Sequence, residues 1–324
     1  MKRRIHLAAI CVAALALPPL QATAQAPAAW PQKPIKVTVA FPPGTPGDML
    51  VRGMGGPLGN ALGQAVVVEN KPGAGGNVGT QAVLNTQADG YNVLTGPDTI
   101  LTVNPQIYTK LSFAPENVVP VTTLGSINLM LACHPSVGVK TVAELTALAK
   151  TKQLNYASGG AGVPGHLAIE MYLAQAGIHM THVPYRGPAP ATADLLAGQV
   201  GCAFLVTNQI VPHVKSGKLV GLAVSTRKRS PLAPDVPTMH EAGVTGFEAS
   251  FAEMLYVPKG TPQAVIDRLQ TEVAAAMKRP EVLDVFRSVD VEPMGHSPAV
   301  AAQRIQTESA RWAPVIKRIG LKVD

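Results

Sequence analysis

Apolar positions along the chain recur with two different periods, and the two alternate. Residues 34–40 read as a strand, and Asp48 opens a segment in which Leu50, Met54, Leu58 and Leu62 fall on one helical face. Residues 66–68 and 91–94 read as buried strands. Thr141-Val142-Ala143-Glu144 and Thr238-Met239-His240-Glu241 match the capping box, in which hydroxyl and carboxylate satisfy the free N–H groups of a helix start. Each therefore predicts a helix. Strands are predicted over 154–157, 181–185, 202–206 and 219–225. Between them lie a largely buried helix over 166–176, stopped by Gly177, and a short one around 194–196, stopped by Gly198. Thr261-Pro262 and Ser297-Pro298 place a cap residue before proline at the first helical position, and Val265, Leu269, Val273 and Ala276 share a face of the first of these helices. Repeated strand and helix units predict an α/β fold of parallel sheets with helices on both faces.

Composition sharpens this picture at the ends. The 324 residues suffice for about two domains. Charged residues make up only 15%, and Gly and Pro number 30 and 29, so turns are many and ion pairs few. Lys2, Arg3, Arg4 and His6 precede an almost wholly apolar run over 7–20, too short to span a bilayer comfortably, and Ala22-Thr23-Ala24 follows. This order predicts a signal peptide over 1–24 and a mature protein in the periplasm. Without Lys2, Arg3 and Arg4 the chain has 24 Lys and Arg and 20 acidic residues, a net +4. Together with two Trp, six Tyr and six Phe, this argues against nucleic-acid binding. Cys133 and Cys202 remain in the mature chain, each in a strand-like run; they could pair as a disulfide or fill the core as small hydrophobes.

Parallel sheets bind ligands beyond the carboxyl ends of their strands. That selects the loops 41–48, 95–99, 158–166 and 185–189, which hold Pro43, Gly44, Thr45, Pro46, Asp48, Asp98, Ser158, Gly160, Gly162, His166, Tyr185, Arg186 and Gly187. Three of them are glycine-rich and lead into helices, whose free amides favour an anion. Asp48 reads first as a helix N-cap, and His166 as either a brace or a ligand contact. Arg186 is either a solvated charge or a two-pronged partner for a carboxylate. Enzyme patterns fail. Gly160-Ala161-Gly162-Val163-Pro164-Gly165 fits a dinucleotide loop, but residues 181–186 lack the acid that would hold the ribose. Ser158 and His166 have no orienting acid, and His179 and His182 point to opposite faces of a strand, so neither a triad nor a metal site is predicted.

Six segments recur in this order in one family: Phe41-Pro42-Pro43-Gly44, 68–77 (Val-Glu-Asn-Lys-Pro-Gly-Ala-Gly-Gly-Asn), Ala88-Asp89-Gly90-Tyr91, Tyr156-Ala157-Ser158 with His166-Leu167-Ala168, 182–187 (His-Val-Pro-Tyr-Arg-Gly) and Pro234-Asp235-Val236-Pro237-Thr238. The chain resembles the Bug family of extracytoplasmic solute-binding receptors of tripartite tricarboxylate transporters. The resemblance implies a two-lobed type-II periplasmic-binding fold with two strands crossing the hinge. One lobe would comprise 33–122 plus 250–324 and the other 123–249. It also implies a monomer without cofactor or metal, which closes on a small carboxylate and delivers it to membrane permease subunits. An enzyme on the same fold, or a ligand-sensing adaptor, is the alternative. The chain departs from the family pattern in four places. Thr45-Pro46 follows Gly44, Val163-Pro164-Gly165 supplies no hydroxyl before His166, Leu205 stands where Asp is frequent, and Glu253 appears in a returning strand that lacks the usual Trp. A more apolar pocket, suited to a hydrophobic or aromatic carboxylate, is expected.

Overall fold

A computed structural model describes residues 30–323; the expected signal peptide lies outside them. The chain begins with strand β1 (Ile35–Val39), helix α1 (Pro46–Leu62), β2 (Val66–Asn70), α2 (Asn77–Leu84) and β3 (Asn92–Pro97). Two single-turn helices, α3 (Thr99–Thr102) and α4 (Asn104–Ile107), lead to β4 (Val118–Ile127), β5 (Leu129–Cys133) and α5 (Val142–Ala149). Next come β6 (Asn155–Ser158), α6 (Pro164–Ala176), β7 (Thr181–Pro184), α7 (Pro188–Leu196), β8 (Cys202–Val206), α8 (Thr207–Lys215) and β9 (Val220–Val224). The chain ends with β10 (Phe251–Pro258), α9 (Gln263–Ala276), α10 (Pro280–Ser288), β11 (Val291–Pro293) and α11 (Pro298–Ile319).

These strands form two sheets, ordered β11-β4-β10-β3-β1-β2 and β7-β6-β8-β5-β9. The architecture is α/β and two-lobed. Neither sheet is wholly parallel as predicted: β10 runs antiparallel to β3 and β4, and β5 antiparallel to β8 and β9. The reason is the crossing itself. β4 and β5 are nearly one strand, which leaves the first sheet at Asn128 and enters the second, and β10 brings the chain back. The change of sheet thus falls beyond the expected 122/123 boundary, because β4 stays in the first sheet through Ile127. Ser225 ties the two crossings together: its amide donates to Leu129 O at 2.8 Å, and its own carbonyl accepts from Ala249 N at 3.0 Å.

The apolar stripe predicted for α1 is buried at Leu50, Met54, Leu58 and Leu62, against α9 and α10. β2, by contrast, is not a buried strand. It is the edge of its sheet, and Val67 is 50% exposed. Both capping boxes form their hydrogen bonds, Glu144 N to Thr141 Oγ1 and Glu241 N to Thr238 Oγ1, each at 3.1 Å. Only the first opens a helix; after Thr238 the chain makes a single turn, ended by Gly243 at φ +97°. Cys133 and Cys202 sit opposite each other on β5 and β8, with Cα atoms 4.0 Å apart, and are joined as a disulfide.

Candidate functional site

A cavity lies between the two sheets. All four loops selected from the sequence contribute to its wall: Phe41, Thr45 and Pro46 from the first, Pro97 from the second, Gly159, Val163, Pro164 and Gly165 from the third, and Pro188 from the fourth. Ile127 and Leu129 flank the crossing, β8 adds Phe204, Leu205 and Val206, and β10 adds Glu253. Four helices of nine to seventeen residues, α1, α6, α7 and α8, start at this wall. A helix start carries free amides and the positive end of the dipole. Pro46, Pro164 and Pro188 occupy the first position of three of these helices, where the fixed φ suits the helix and the missing N–H removes one donor. No Lys, Arg or His lines the cavity among the described residues, so positive potential comes from backbone alone.

The sequence-predicted residues divide into wall and scaffold. Thr45, Pro46 and Leu205 line the cavity. Asp48 is not the N-cap, which is Thr45; it sits in the first turn of α1, accepts from Gly44 N at 3.0 Å, and binds Arg52 Nε and Asn70 Nδ2 at 2.9 Å each. Asn70 also donates to Phe41 O, so this cluster braces the first loop. Pro43 is exposed beside it. Asp98 is buried but off the wall, accepting from Arg304 Nε at 3.1 Å. Tyr185 is turned away and donates to Asp194 at 2.6 Å, which pushes its pKa up to about 12. Arg186 is exposed and outside the wall. Gly187 donates its N–H to Gly159 O at 3.1 Å, joining the third and fourth loops.

Ser158, Gly160, Gly162 and His166 belong to one buried brace. The Ser158 hydroxyl donates to Gly160 O at 2.8 Å, so His182 Nε2, 2.6 Å away, is the donor in their mutual bond. The proton of Ser158 is therefore committed to a carbonyl rather than to a base. His166 Nδ1 accepts from Gly162 N at 3.0 Å, which fixes the neutral tautomer with hydrogen on Nε2. The rings of His166 and His182 stack 4.0 Å apart, with Tyr156 beyond, and burial lowers the two imidazoles to about 3 and about 4. Residues 156, 166 and 182 meet because β6 and β7 pair in parallel register, Tyr156 opposite His182. Spacing along the chain carried no such signal.

The two lobes touch beside the cavity. Gln209 donates to Gly44 O at 3.4 Å, and a Cβ on Gly187 would stand 3.4 Å from Pro42. The two lobes are closed on one another.

Glu253 is the ionisable side chain of the wall. It is 4% exposed, and burial, reinforced by the negative charge of Asp98, raises its carboxyl to about 8. A carboxyl raised from about 4.5 binds more protons folded than unfolded, so it lowers stability progressively as pH rises from about 4.5 to about 8. Glu253→Gln is therefore expected to gain on the wild type over that range, by on the order of a few kcal/mol above pH 8. Urea melts of both proteins at stepped pH would show this, and parallel stability curves would contradict it.

Three comparisons bear on the site. The profile of the family described as "Tripartite tricarboxylate transporter family receptor" matches residues 16–321. Protein BugT of Bordetella pertussis is 33% identical over 301 residues, 91% of each chain. The solved structure of Rpa4515 from R. palustris with adipate superposes with TM-score 0.85 at 32% identity, over 91% of this chain and 99% of the other. That of MatC from Rhodopseudomonas palustris with bound malate gives 0.81 at 27% identity, over 89% and 100%.

Proposed function

This chain belongs to the tripartite tricarboxylate transporter receptor family, and from that premise we propose that it is a periplasmic receptor for a small carboxylate. The observation that carries the reading is the meeting of four helix starts, from both sheets, on one cavity without a cationic side chain. Such a site suits an anion held by backbone amides and bridging water. Adipate and malate in the structural relatives support the same class. The mechanism is closure: a ligand that touches both lobes binds the closed state better than the open one and draws the equilibrium toward it. No bond of the ligand is made or broken, and the protein works as a monomer that delivers its cargo to permease subunits. The lobes would be near 33–122 plus 250–324 and 123–249, with the crossing at Asn128. Ile127, Leu129, Phe204 and Leu205 make the wall apolar, which favours a hydrophobic or aromatic acid. In this reading Leu205 and Thr45-Pro46 set the shape of the pocket, and the Asp98–Arg304 pair supports it from behind.

Thermal melts of residues 25–324 against mono-, di- and tricarboxylates, aromatic acids and their esters test this. A carboxylate at about 100 times its dissociation constant should add roughly 2.7 kcal/mol, a rise of several degrees. Esters that raise the melt as much as the acids would overturn the proposal.

A further inference from the structure

Glu253 is the feature of the cavity that an anion site does not need. It lies on β10, every residue of which is buried, and its Oε2 has no hydrogen-bond partner among the described residues. A Cβ on Gly47 would stand 2.8 Å from Oε2, so the carboxyl rests against the first turn of α1. A buried oxygen without a partner is costly, and apart from the Gly47 amide, which faces the carboxyl, the occupant of the cavity is what can supply one. A donor on the ligand or a water could do so, and of the two charged groups a ligand could bring there, an ammonium and a carboxylate, the surroundings favour one. The helix starts disfavour the ammonium, since four positive dipole ends surround the place it would take. A carboxylate offers only acceptors, so it can meet another carboxyl only if a proton lies between them.

Resting on the carboxylate reading above, we propose that Glu253 is a specificity residue that binds as the protonated acid, its O–H donating to a carboxylate oxygen of the ligand, so that capture requires one proton on the protein. The proton stays on Glu253, shared in the hydrogen bond, and is released to solvent when the ligand leaves and pH is high. Burial and the neighbouring Asp98 charge raise Glu253 to about 8, so the acid form is resident at neutral pH. The groups around it do not obscure its titration. Asp98, raised to about 6 and paired with Arg304, is ionised above neutrality, and Glu308 acts on it from the same helix as Arg304. Tyr256, on the same strand, is pushed well above its ordinary value, and His166 and His182 are neutral. From α1, the Gly47 amide faces the carboxyl, while Asp48 is engaged by Arg52.

Calorimetric titrations with adipate and with benzoate, whose own charges are constant above neutral pH, test the proposal. Between pH 7 and 9.5 the protonated fraction of a group titrating near 8 falls about thirty-fold, and wild-type affinity should fall by the same factor. Glu253→Gln, whose amide donates at every pH, should vary by less than about threefold over the range. Wild-type binding that ignores pH, or a Glu253→Gln protein with the wild-type pH profile, would overturn the proposal and leave the receptor reading intact. Failure of every carboxylate to bind the folded wild type at any pH would overturn both.

Discussion

Gly162→Ala is expected to weaken carboxylate binding by at least about tenfold and also to lower the stability of the unliganded protein. Gly162 has φ +74°, and a Cβ there would stand 2.2 Å from Ile107 Cδ1 and 3.7 Å from Val103 Cγ1. Ile107 and Val103 precede the crossing at Asn128, and Gly162 follows it, so the overlap lies between the lobes. Parting them relieves it, at the cost of separating Val103 and Ile107 from the second-sheet residues of their cluster. Ile107 is fully buried in a cluster shared with the second sheet, which leaves its methyl little room to turn aside. The left-handed φ costs alanine roughly 1–2 kcal/mol in the open and closed states alike, so it cancels from the binding equilibrium. What remains is a smaller closed fraction, and apparent affinity falls in proportion to it. Titration of the variant beside the wild type, with melts to confirm folding, measures this. Unchanged affinity would mean that the bound state is not the closed arrangement described here.

Loss of the disulfide is expected to be the largest single change in stability. The bond closes a loop with sequence separation 69, joining neighbouring strands in the middle of the second sheet. On the chain-entropy account a loop of that length stabilises by roughly 4 kcal/mol. Both cysteines are fully buried, so replacement by alanine also leaves a small void, which lowers stability further. The Cys133→Ala, Cys202→Ala double variant should melt well below the wild type, and the wild type in strong reductant should follow it. A change within about 0.5 kcal/mol would contradict this.

The parts of this molecule legible in the sequence are those set by neighbours along the chain. The α1 stripe, the Thr141 box and the Ser297 cap depend on contacts within a turn, and each stands where the pattern put it. The Thr261-Pro262 pair is off by one residue, since Pro262 is the N-cap of α9, and α1 and α6 begin two residues ahead of Asp48 and His166, at prolines. The four loops at the cavity wall were legible for the same reason, since strand ends and helix starts mark them. Direction was not. An apolar run reads the same in a parallel or an antiparallel sheet, so the reversed strands β5 and β10 were hidden. Pairings across long separations were hidden too. The stack of Tyr156, His182 and His166, the Asp98–Arg304 pair and the opposition of Cys133 to Cys202 arise only from sheet register and helix docking. The Thr238 box shows the converse: local chemistry was right, but with Gly243 following there was no apolar face to extend a helix. The start of α8 at Val206 was missed because no cap side chain or proline marks it. Glu253 did leave a trace, a lone acid in the apolar run 251–258, but nothing in that run says which way it faces.

On the proposed function, one carboxylate sits where four helix starts meet, enclosed by both lobes. A crystal structure of the protein grown with the carboxylate that most raises its melt tests it directly. A carboxylate group is expected at the starts of α1, α6, α7 or α8, among Pro46, Pro164, Pro188 and Val206, with one oxygen within hydrogen-bond distance of Glu253. A ligand held outside that cavity, or by cationic side chains such as Arg186 at the surface, would contradict it.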